Sequence, residues 1–192
     1  AAAAAAAARN LVPADNCEAY CSNTGRPVVS VESIPYGRDF RYLIYACTQT
    51  NFCPNYFRNT PINCWNTKNV TDMSSIFSGL KNYDFNSPLH CWDTSNVNYF
   101  RNTFDGASKF NQPINLWDTS SASDMKYMFR NAKGFNQQLN SWDTSGVEDM
   151  SQMFSNVSLL SYVCTYVCVC VCVCVCVFVC MYVCMHICEV LC

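Results

Sequence analysis

The sequence predicts an α/β fold of repeating units, a solenoid with short parallel strands on one side and short helices on the other, and three observations carry that prediction. The four tryptophans, Trp65, Trp92, Trp117 and Trp142, stand 27, 25 and 25 residues apart, and a fixed period in this range marks a stacked-repeat architecture. Phenylalanines keep step: Phe77, Phe104, Phe129 and Phe154 each follow a Trp by 12 residues, and Phe110 and Phe135 follow by 18, with Phe85 displaced by a two-residue insertion. A unit of about 25 residues cannot close a core alone, so these aromatic columns must be buried by stacking one copy on the next.

Each element of the unit follows from its residues. Val147, Met150, Met153 and Phe154 fall at i, i+3, i+6 and i+7, one face of a short helix. Acids at Asp72, Asp124, Glu148 and Asp149 suit the first turn of that helix, and Gly79, Gly106 and the Asn131-Ala132 pair stand where it should stop. A Phe-Asn-Gln-Pro turn comes next, then a short strand around residue 115, Pro-Ile-Asn-Leu-Trp. The two-residue period of a strand turns Ile114 and Leu116 inward and Asn115 outward. The outward column is then Asn63, His90, Asn115 and Asn140, the candidate partner-binding residues.

Written out, successive copies read WDTSNVNYFRNTFDGASKFNQPINL, WDTSSASDMKYMFRNAKGFNQQLNS and WDTSGVEDMSQMFSN. From Trp65 to Asn156, and more weakly back to Phe57, this wording resembles the BspA-type leucine-rich-repeat surface proteins. The resemblance implies a leucine-rich-repeat-like solenoid, a place on the cell surface or outside the cell, and adhesion or ligand binding to a protein or glycan without catalysis. It also implies that partners bind on the short parallel face. Departures are Asn66 in place of the usual Asp, and Asn98-Tyr99-Phe100 in place of the x-D-M step.

Repeated positions have structural readings to set beside functional ones. The Trp column is expected to pack against its own copies rather than to display aromatics. Asn86, Asn111 and Asn136 are expected to pair along the stack. Asp93, Asp118 and Asp143 are read as turn and cap acceptors rather than calcium ligands, since the glycine-rich nonapeptide of calcium-binding solenoids is absent. Cys64 and Cys91 both precede a Trp. Small buried filler is the default reading for them, and a disulfide between neighbouring strands is the alternative.

With 12 Lys+Arg against 14 Asp+Glu and a net charge of −2, the chain lacks the basic excess that a nucleic-acid partner requires. Its two histidines, His90 and His186, stand in no nucleophile–base arrangement, and no phosphate loop, H-E-x-x-H or paired C-x-x-C occurs. The expectation is a non-enzymatic protein without cofactor or metal. Triplets at Asn69-Val-Thr and Asn156-Val-Ser are candidate N-glycosylation sites.

Four segments follow: low-complexity poly-Ala at 1–8, a Cys-containing segment at 9–56, the repeats at 57–156, and a Val/Cys tail at 157–192. Phe40-Arg-Tyr-Leu-Ile-Tyr reads as a strand or the remnant of a capping repeat. The tail breaks the repeat register at Val157-Ser158, a pair that a splice donor can encode, and its Val-Cys alternation is what a GTGTGT tract translates to. It is therefore expected to be translated intron or microsatellite sequence, absent from the mature protein. The apolar stretch 162–188 keeps a C-terminal membrane anchor as the alternative, with an intracellular interaction scaffold as the rival to a surface role.

Overall fold

A computed structural model describes residues 17–21, 29, 40–79 and 84–157. The poly-Ala segment, most of the tail and the anchor candidate at 162–188 lie outside the described residues, as does His186. Helices α1 (Cys17–Cys21), α2 (Phe40–Gln49) and α3 (Asn55–Arg58) and a single 3₁₀ turn (Ile62–Cys64) all precede Trp65.

The α/β solenoid expected from the sequence is not what forms. Among the described residues no strand or sheet occurs and no helix lies after Cys64; parallel pairing is limited to the isolated bridges Asp72↔Tyr99, Tyr99↔Asp124 and Asp124↔Asp149. The residues read as helical form turns instead. Phe100, Asn102, Phe104 and Gly106 donate their N–H groups to the carbonyls of Asp124, Lys126, Met128 and Arg130 in the following copy, at 2.8 to 3.0 Å. The intervening Thr103, Asp105 and Ala107 donate three residues back, to Phe100, Asn102 and Phe104. A helix would consume every one of these donors internally, so a helix and this inter-copy ladder exclude each other.

The apolar spacing that suggested a helix is equally the spacing of successive four-residue turns. Positive φ at Ser75, Asn102, Tyr127, Asn131, Gln152 and Asn156, and at Gly79 and Gly106, recurs at two points four residues apart in each copy. Positive φ is what a type II turn demands of its third residue, and it breaks a right-handed helix. The expected strand also fails. Trp117 donates to the Ile114 carbonyl (3.1 Å), closing a turn, and Leu116 stands 58% exposed rather than inward.

Stacking nonetheless buries the aromatic columns. Ring centroids along Phe77, Phe104, Phe129 and Phe154 are 5.2, 5.4 and 5.5 Å apart with interplanar angles below 10°. Phe85, Phe110 and Phe135 form a second column at 6.0 and 6.1 Å, and Trp92 lies over Trp117 at 6.2 Å. Such offset pairs add about 0.5–1.5 kcal/mol each beyond burial. Each indole N–H reaches back along the stack: Trp92 donates to Ile62, Trp117 to Leu89 and Trp142 to Ile114, at 2.7 to 3.0 Å. Buried Thr67, Thr94 and Thr119 reach forward to the carbonyls of Asp93, Asp118 and Asp143.

At the N-terminal side the segment read as a strand or repeat remnant is the helix α2. Phe40, Leu43, Ile44 and Cys47 share one face at i, i+3, i+4 and i+7; the first three are buried, and Phe40 packs on Trp92 at 5.4 Å. The filler reading of Cys64 and Cys91, and a bond between them, are both overturned. Cys21 bonds Cys64, Cys17 bonds Cys91, and Cys47 bonds Cys53. Cys17 and Cys21 sit one turn apart on α1, which places their side chains about 5–6 Å apart. That matches the step between copies, so one helical turn reaches two equivalent positions of successive units.

Two substitutions check this packing. Phe129→Ala removes a ring stacked on Phe104, Phe135 and Phe154 and should cost about 3–5 kcal/mol in chemical denaturation. Gly134→Ala would place a Cβ 2.7 Å from the Ser108 carbonyl oxygen, whose lone pair already receives the Gly134 N–H, and should cost about 1–3 kcal/mol. A loss below about 0.5 kcal/mol in either variant would contradict the stacking described here.

Candidate functional site

The four residues read as an outward column do not form a common surface. Asn63 is 2% exposed; its Oδ1 accepts the Cys91 N–H (3.0 Å) and its Nδ2 lies 3.3 Å from the Cys91 Sγ. Asn115 is half-buried and performs the same task one step on, with Oδ1 accepting from the Ser141 N–H and Nδ2 donating to the Ser141 hydroxyl. His90 is half-buried with its Nε2 3.5 Å from Asn63 Nδ2, and only Asn140 is exposed. The strand that would have aligned these side chains is a turn, so amides at this position spend themselves on the next copy.

Aspartates at two positions of the unit likewise serve turns. Asp93, Asp118 and Asp143 accept the N–H of Ser95, Ser120 and Ser145, and Asp72, Asp124 and Asp149 accept that of Ser74, Lys126 and Ser151. Each carboxylate bonds the backbone two residues on, an Asx turn. The hydroxyl and N–H of Ser120 hold Asp118 below the usual carboxylate range, and those of Ser145 do the same for Asp143. For Asp149, burial pushes upward but Ser151 and Lys126 outweigh it, and the net shift is down.

An exposed aromatic and charged surface lies on the bridged residues, in the stretch the sequence marked as helix. Tyr99, 49% exposed, is followed by Arg101, and the next copy bridges Tyr99 at Asp124 and continues into Lys126, Tyr127 and Arg130. Inter-copy ion pairs run Arg101–Asp124 (3.9 Å), Lys126–Asp149 (3.2 Å) and Arg130–Asp105 (2.6 Å). The Arg130 guanidinium lies 4.4 Å from the Tyr127 ring centroid. Sequence reasoning missed this face because it placed these residues on a helix; the signal was the departure at Asn98-Tyr99-Phe100, where an aromatic replaces the acid of the other copies.

Next to it opens a groove of about 380 Å³ lined by Lys68, Asn69, Thr71, Asn96, Asn98 and Ser121. Its floor is fixed by side chains bonded to neighbouring copies: Asn96 Nδ2 donates to Lys68, Asn98 Nδ2 to Ser121, and the Ser121 hydroxyl to Ser95. Both candidate glycosylation residues are exposed; Asn69 stands at this groove, and Asn156 donates its side-chain amide to Asn131 at 3.0 Å. The one grouping with metal-ligand chemistry among the described residues is Cys17, His90 and Cys91, within 4.8 Å of one another. Its two sulfurs are bonded to each other, so neither is a thiolate ligand. Among the described residues no helix is long and apolar enough to cross a membrane.

Fold and surface together define a disulfide-clamped stack of turn-rich units with an exposed aromatic and charged face. A family model matches residues 43–165, and the chain belongs to that family, described as Mycoplasma protein of unknown function, DUF285. Comparison with curated proteins found no match, and comparison with solved structures found none.

Burial lowers the pKa of His90, so the folded chain resists the proton that the unfolded chain takes up near pH 6.5. The sign follows: stability is full above that value and declines as pH falls from it toward the lowered folded pKa. The aspartates add stability above the carboxylate range and lose it as pH falls through their own lowered values, so the two windows are separate. Melting temperature should therefore drop between pH 7 and pH 5.5 in the natural chain and drop less in His90→Asn, which carries the residue found at this position in other copies. Equal drops in the two would remove His90 as the cause.

Proposed function

We propose that the protein is a non-enzymatic module of the cell surface or extracellular space that binds a protein or glycan ligand. The observation that carries this reading is the cysteine state: all six cysteines outside the tail pair as disulfides, and three such bonds persist in an oxidising compartment and are rare in the cytosol. The BspA-type wording of the units supports a surface protein in particular. A ligand would be taken on the face of Tyr99 and Arg101, where the half-exposed Tyr99 ring offers stacking surface to sugar faces or side chains and Arg101 is paired with Asp124 of the next copy. The backbone of Tyr99 is bridged to Asp72 and Asp124 on either side, which lowers the ordering cost of binding.

The test has two arms. In the native cell, alkylation of thiols without prior reduction should leave Cys17, Cys21, Cys47, Cys53, Cys64 and Cys91 unlabelled on protein recovered from the surface or medium. A cytosolic pool with reactive cysteines would overturn the surface reading in favour of an intracellular scaffold. In binding assays against glycan and peptide panels, Tyr99→Ala and Arg101→Ala should each weaken the best ligand by roughly tenfold. Both side chains are largely exposed, so unfolding free energy should change by no more than about 0.5 kcal/mol. Binding that is unchanged in both variants would move the ligand elsewhere.

A further inference from the structure

We infer that Asn69 is an N-glycosylation site and that the groove beside it is the bed on which the attached glycan lies. This rests on the extracellular reading above. Asn69 stands in the exposed turn Lys68-Asn69, and its side chain makes no hydrogen bond among the described residues. The cause is its place in the stack. At this position side chains reach back one copy for a carbonyl, as Asn96 does to Lys68 and Ser121 to Ser95. Asn69 is the first of the column, and among the described residues no such carbonyl stands behind it. Thr71 completes the triplet and is also exposed; its backbone is pinned by the N–H groups of Asn98 and Tyr99, both donating to its carbonyl.

Asn156 is exposed too, but its Nδ2 is already donating to Asn131 and its backbone holds a positive φ of 60°. The groove supplies the independent pointer to carbohydrate. It is open and polar, and it starts at Asn69 itself. Asn96 and Asn98 each commit one amide hydrogen to a carbonyl while their Oδ1 atoms have no partner among the described residues, leaving acceptors for sugar hydroxyls. The Lys68 ammonium, free of ion pairs among the described residues, adds a donor.

Chemically, Nδ2 of Asn69 attacks C1 of an oligosaccharide carried on a polyprenyl pyrophosphate. The N–C1 bond forms, the bond from C1 to the pyrophosphate oxygen breaks, polyprenyl pyrophosphate leaves, and one amide proton passes to a base of the transferase.

The full chain, directed by an added leader into the secretory pathway of a eukaryotic host, should gain the mass of one glycan that peptide-N-glycosidase removes. Asn69→Gln and Thr71→Ala should abolish the gain, Thr71→Ser should keep it, and Asn156→Gln should leave it unchanged. Absence of the glycan from secreted, thiol-blocked protein, or its loss in Asn156→Gln rather than Asn69→Gln, overturns the inference. Because the leader places the chain in that compartment whatever its native location, such a failure concerns Asn69 alone, and the surface reading stands or falls on the native-cell experiment.

Discussion

Every second backbone N–H from Met73 to Phe77, from Phe100 to Gly106 and from Met125 to Asn131 is spent on the neighbouring copy. The rest of the structure follows from that one allocation. Donors that cross between copies cannot close a helix, so the chain must turn back every few residues through positive φ. Those turns set the spacing at which Phe77, Phe104, Phe129 and Phe154 stack ring on ring. Side chains extend the same economy, with Trp reaching back, Thr reaching forward, and Asn86 and Asn111 taking the N–H of Asn111 and Asn136. Polar residues that look available for ligands in the sequence are mostly occupied by the copy next door.

What was legible in the sequence was the register. The Trp and Phe spacings identify which residues meet, and the centroid separations follow. What was not legible was the backbone conformation, because i, i+3, i+7 apolar spacing is degenerate between a helix and a chain of four-residue turns. Only Asn102, Asn131, Asn156, Gly79 and Gly106 hint at positive φ by residue type; Ser75, Tyr127 and Gln152 adopt it against their preference, at a cost on the order of 1 kcal/mol each. The error on the strand carried the site with it, since Asn63 and Asn115 were placed outward by a two-residue period that a turn does not have. In the N-terminal segment the 3.6-residue period of Phe40, Leu43, Ile44 and Cys47 was present but short, and a β-rich reading of the aromatics obscured it.

The clamp at the N-terminal side answers a different need. A stack exposes its core at the first unit unless something covers it. Here α2 lays Phe40, Leu43 and Ile44 against the first aromatic residues, and α1 is bonded covalently to two successive copies. The cysteine pairing could not be read from spacing, because it joins a helical repeat of four residues to a unit repeat of 27.

The clamp also sets how the molecule responds to load. Cys17–Cys91 closes a loop of 74 residues, which would otherwise contribute roughly 250 Å of contour when drawn straight. Tension applied across the chain bypasses that loop through the sulfur bridge, so the first copies keep their shape while only the units beyond Cys91 can be peeled away one at a time. Of the groove's lining, Lys68, Asn69 and Thr71 lie inside the shielded loop, while Asn96, Asn98 and Ser121 lie outside it with Tyr99 and Arg101. A pull strong enough to strip the stack would therefore take the Tyr99 face and the far wall of the groove together, and leave only Asn69 and its neighbours in place.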